Sequence, residues 1–173
     1  MTMNFDEMMD AIYHNDNDND NTFETSELLT SRDTLEFKSL QLRDNKDFVI
    51  NILMKCGNSL KLVSERLKDD KEVVTTAVNN NGHALEYASN TLKDDVDVVT
   101  AAVTNCGYAL MHASPRLKNT GEVALAAITN TLYAFKFTSD ELKDDKEVVM
   151  AAVNNNGHTL EYASNRLKDD IEV

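Results

Sequence analysis

Apolar positions along the chain recur at helical spacing inside a frame of 25 residues. In LKDDKEVVTTAVNNNGHALEYASNT, residues 67–91, Val73, Val74, Ala77 and Val78 fall on one side of a helix of period 3.6. Asp69 followed by Glu72 reads as a capping box ahead of that helix. Asp69, Asp70 and Glu72 also stand at the end where the helix dipole favours negative charge. Gly82, after the last periodic residue, predicts a left-handed stop. A second, shorter helix is expected in HALEYASN, with Ala84, Leu85, Tyr87 and Ala88 apolar. The frame starts at Leu42, Leu67, Leu92, Leu117 and Leu142, and begins a sixth time at Leu167.

Helices this short fall below the ~12–15 residues that an isolated helix needs to be even marginal in water. Stability must then come from each repeat covering the apolar face of its neighbour. Two columns of small residues, Thr76, Ala101, Ala126 and Ala151 and Ala77, Ala102, Ala127 and Ala152, allow close helix approach. The expected architecture is all-α: an α-solenoid of stacked two-helix repeats.

Three regions are expected along the chain. Residues 1–14 read as an amphipathic helix with Phe5, Met8, Met9, Ile12 and Tyr13 apolar, capping one end of the stack. Residues 15–32 are an acidic Asn/Asp-rich linker and short helix. Residues 33–173 are the repeat array: a half-repeat at 33–41, five full repeats from Leu42 and a partial sixth from Leu167. The fourth copy departs from the pattern: Leu132 replaces the turn glycine, Gly121 sits in the first turn of the long helix, and Phe135 and Phe137 stand nearby. A locally repacked core is the simpler reading, and a bend opening an aromatic pocket the functional one. The stop at Val173, inside a sixth repeat, reads as a fragment of a longer array or as a protomer whose open end a partner covers.

Candidate chemistry is sparse. In the linker, Asp16, Asp18 and Asp20 occupy positions 1, 3 and 5 of an EF-hand-like loop, with Glu27 at position 12. Asn21 replaces the expected glycine and no second loop accompanies the first, so a solvated linker competes with a calcium site. Cys56 and Cys106 share one slot two repeats apart, about 20 Å at helix-packing distances. A disulfide needs Cα atoms within ~7 Å, so both are expected as free thiols in a cytoplasmic or other reducing intracellular compartment. His83 and His158 lie too far apart to share a metal, and His112 reads as a half-buried filler. Asn80, Asn105, Asn130 and Asn155, and Ser64, Ser89, Ser114, Ser139 and Ser164, are expected to bond backbone groups that helix ends leave unpaired. Arg43, Lys68, Lys93, Lys118, Lys143 and Lys168 form a basic column beside Asp69, Asp94, Asp144 and Asp169. That column reads as a salt-bridged edge, or as a surface for an extended partner. Every reactive side chain is either repeated as a ladder or isolated, so catalytic residues, cofactor and metal are all expected to be absent.

The net charge of −13 argues against direct nucleic-acid binding, which needs a basic stripe. No apolar run approaches the ~18 residues of a membrane span. The pattern L-K-D-D-x-E-V-V-x-A-A-V-x-N-N-G-x-A-L-E-Y-A-S closely resembles the repeat of the family called domain of unknown function 4116, over about residues 33–173. The resemblance implies helical repeats and no established activity, in arrays of the kind seen in giant DNA viruses, protists and intracellular bacteria. The functional expectation is a non-catalytic scaffold with a protein partner. Its alternatives are a structural subunit of a large assembly, viral or protist, contacting a neighbour through its open C-terminal face, and a calcium-modulated adaptor.

Overall fold

The computed structural model describes residues 42–170, which build five units of one plan. The predicted N-terminal helix, the linker and the half-repeat at 33–41 lie outside the described residues. In the third unit, a turn of 3-10 helix at Leu92–Asp94 leads to a long α-helix at Val96–Asn105 and a 3-10 helix at Gly107–His112. The other units repeat this order, and no strand occurs among the described residues. The all-α repeat architecture is therefore the expected one. Its unit is finer, because the second helix is wound as 3-10 and a single helical turn joins one unit to the next.

The long helix begins one residue later than the capping-box reading placed it. Asp70, in extended conformation at φ −90°, ψ 116°, accepts from the Glu72 and Val73 amides, and Asp95 and Asp145 do the same in their units. Asp69, at φ −104°, ψ 6°, instead closes the short helix before it. An N-cap needs the extended backbone, and only the second aspartate of each pair has it.

The stop also differs from expectation. Asn81 and Cys106 turn extended and end their helices, and none of the glycines adopts a left-handed backbone. Glycine is required for space. A Cβ on Gly57, Gly82 or Gly107 would meet the carbonyl oxygen of Ala77, Ala102 or Ala127 in the following unit at 2.3–2.4 Å. Glycine here permits close backbone approach, with the small alanine column on the opposing helix.

Val73, Val74, Ala77 and Val78 are fully buried, as are Ala84 and Leu85 of the 3-10 helix and Leu67 of the joining turn. One apolar cluster runs from Val49 to Ala134. A second gathers Ala124, Ile128, Phe135, Val149 and Leu167. The division between them falls in the fourth unit, where the sequence departs from its pattern.

Candidate interaction surface

Side chains at each seam between units do the joining. Asn80 accepts from the Gly57 amide at 2.7 Å and donates to the Met54 carbonyl at 2.9 Å. Asn105 repeats this with Gly82 and Asn79, and Asn130 with Gly107 and Thr104. The asparagine column thus satisfies orphan backbone groups, as expected, but those of the preceding unit. At the next seam Asn155 donates to the Ile128 carbonyl at 3.3 Å, one residue out of the ladder's register. That is the seam where Leu132 holds the glycine's place.

The serine column works at the joining turns. Ser64 accepts from the Leu67 amide, donates to Asp44, and its own amide bonds the Arg43 carbonyl. Ser89, Ser114 and Ser164 donate likewise to Asp69, Asp94 and Asp144. A serine engaged as both cap and donor has no free role as a nucleophile.

Two further ladders run on the acidic side. Arg66, Arg116 and Arg166 bond Asp44, Asp94 and Asp144 at 3.0 Å. The serine hydroxyl and then the guanidinium hold these three carboxyls below the usual range. Where Glu141 replaces the arginine, Asn119 replaces the aspartate, which removes a like-charge contact and keeps the serine bond at 2.6 Å. Lys46 and Lys71 reach across to the following unit's cap, Asp70 and Asp95. Burial pushes Asp70 and Asp95 up, but the lysines and the amides they cap outweigh it and leave both lowered. These pairs were legible only as matched residue changes 22 to 24 positions apart.

The predicted basic column does not pair with the aspartates beside it in sequence. Lys68 and Lys143 bond Glu65 and Asp140 within their own turns, with side chains only 15% and 22% exposed. Lys118 donates to the Met111 carbonyl at 2.7 Å, and burial lowers its pKa. The aspartates beside Lys68, Lys93 and Lys143 already accept from the serine column.

The 3-10 helices present rings. His83 meets His112 edge-on at 6.4 Å, and Tyr108 meets Phe137 edge-on at 6.1 Å. Lys136 lies 4.8 Å from the Phe137 ring centre and 5.8 Å from that of Tyr108. His112 is half-buried, as expected, and burial lowers its pKa. Cys56 and Cys106 are free, with the Cys106 sulfur 3.5 Å from His83 Nε2. Among the described residues no group of three or more His, Cys, Asp or Glu is placed to hold a metal, and no helix is long and apolar enough to cross a membrane. Asp16, Asp18, Asp20 and Glu27 lie outside the described residues. An open cleft of about 360 Å³ lies beside Gly157, lined by His158, Leu160, Glu161 and Lys168.

Continuous stacking, seam ladders and a periodic outer face define this chain as a helical-repeat protein. Four overlapping matches to the domain of unknown function DUF4116 cover residues 45–93, 70–118, 95–143 and 120–168, each displaced by one repeat from the last. The chain belongs to that family, whose unit spans two of the 25-residue repeats described above. No curated protein and no solved structure gives a significant match.

Proposed function

We propose that this protein is a non-catalytic scaffold that binds another protein along its repeat face. The observation carrying this reading is the use of its polar side chains. The serines, asparagines and helix-end aspartates that might do chemistry are engaged in caps and in bonds between units. What remains outward on the 3-10 helices is a recurring set of rings, with Lys136 beside Tyr108 and Phe137. Such a surface, built on rigid stacked elements, suits recognition of an extended partner. The experiment is affinity capture of the full chain from its source cells, followed by sedimentation of each retained protein with the purified chain. Formation of a defined complex supports the reading. Failure of every retained protein to bind the purified chain overturns it.

A further inference from the structure

The two sides of the array differ in charge compensation. On the side of the long-helix N-termini, Lys46, Lys71, Arg66, Arg116 and Arg166 are each paired with carboxylates. In the middle of the 3-10 side, the reverse holds. Met111 and Lys136 stand where neighbouring units carry Glu86 and Glu161, and Pro115 stands where the first unit carries Glu65. Among the described residues no salt bridge reaches Lys93, Lys118 or Lys136. Lys118 is half-buried with a carbonyl as its hydrogen-bond partner. Burial is the first cause of the lowered His112 pKa; Glu86 acts to raise it, and His83, Lys93 and Lys118 act to lower it. The result is a local cationic stripe, flanked by Tyr108 and Phe137, on a chain whose net charge is −13.

We propose that Lys93, Lys118 and Lys136, with Tyr108 and Phe137, form a docking surface for an extended acidic segment of a partner protein. Charge complementarity selects the partner: uncompensated ammonium groups beside half-buried rings favour carboxylates with short apolar side chains between them. Geometry sets its spacing. Units about 10 Å apart match three residues of extended chain at about 3.3 Å each, so a carboxylate at every third position meets successive lysines. A nucleic acid is the poorer fit, because the acidic side of the same narrow array repels a long polyanion.

This inference rests on the scaffold reading and names its partner's chemistry. The test uses the full chain and fluorescence anisotropy with three labelled probes: a twelve-residue-scale peptide of Glu-Ser-Leu repeats, its Gln-Ser-Leu counterpart and an oligothymidine. The Glu peptide is expected to bind at least about tenfold more tightly than the Gln peptide, and to weaken as salt rises. Lys93→Gln with Lys136→Gln is expected to weaken it about tenfold, with Lys71→Gln, on the opposite side, leaving it unchanged; thermal melts verify that each variant folds. Equal binding of Glu and Gln peptides, tighter binding of oligothymidine, or indifference to the Lys93/Lys136 pair overturns the assignment. If captured partners bind independently of those lysines, the docking surface fails and the scaffold reading stands. If no protein binds the chain at all, the scaffold reading itself has failed.

Discussion

The seam between the third and fourth units and the seam between the fourth and fifth are built from the same frame, yet they close differently. At the first, Gly107 lets the Ala127 carbonyl approach, and Asn130 bonds both the glycine amide and the Thr104 carbonyl. At the second, Leu132 stands in the glycine's place and Asn155 reaches the Ile128 carbonyl at 3.3 Å. The fourth unit also lacks a side-chain cap, since Thr120 makes no bond to the helix amides. Loss of one glycine therefore travels with loss of register in the hydrogen-bond ladder. Cohesion in this array resides in backbone approach, with the asparagine ladder depending on it.

The strongest way to break the comparison is Gly107→Ala. Its new Cβ would lie 2.3 Å from a backbone oxygen, and separating the units is expected to cost about 3 kcal/mol, read from urea unfolding. Next comes the ladder itself. Asn130→Ala strands a part-buried amide and a carbonyl and should lose about 2 kcal/mol, while Asn155→Ala, whose bond to the Ile128 carbonyl is 3.3 Å long, should lose under about 1 kcal/mol. Equal losses would mean that the two seams are alike. In the opposite direction, Thr120→Asp supplies the missing cap and is expected to add about 1 kcal/mol, measurable as a raised melting temperature.

The smallest effects belong to the exposed arginine ladder. Arg116→Gln should move the melting temperature less than any change above, because surface pairs contribute little. The pH dependence follows from the same groups. Asp44, Asp94 and Asp144 titrate lower folded than their ordinary value of 3.8, so their contribution is complete above that value. It is lost as pH falls through the lower folded values. Thermal melts are expected to decline slightly as pH falls below 6.5, where the unfolded chain protonates His112 first, and to fall more steeply below about 4.

Much of this was readable from residues alone. The period, the buried Val73–Val78 stripe, the half-buried His112 and the role of the serine and asparagine columns at helix ends all follow from side-chain type at fixed spacing. The capping position is not legible to the residue, since Asp69 and Asp70 are chemically identical and differ only in backbone conformation. The partners of the basic column are not legible either, because adjacency in sequence says nothing of which carboxylate an arginine 22 residues later already holds.

The repeat, its helices and its apolar face follow from the order of residues alone, because these depend on local periodicity and composition. Only the tertiary structure decided why glycine is needed, which unit each asparagine serves and where uncompensated lysines gather. Those properties belong to the distance between one unit and the next, and a single unit does not contain that distance.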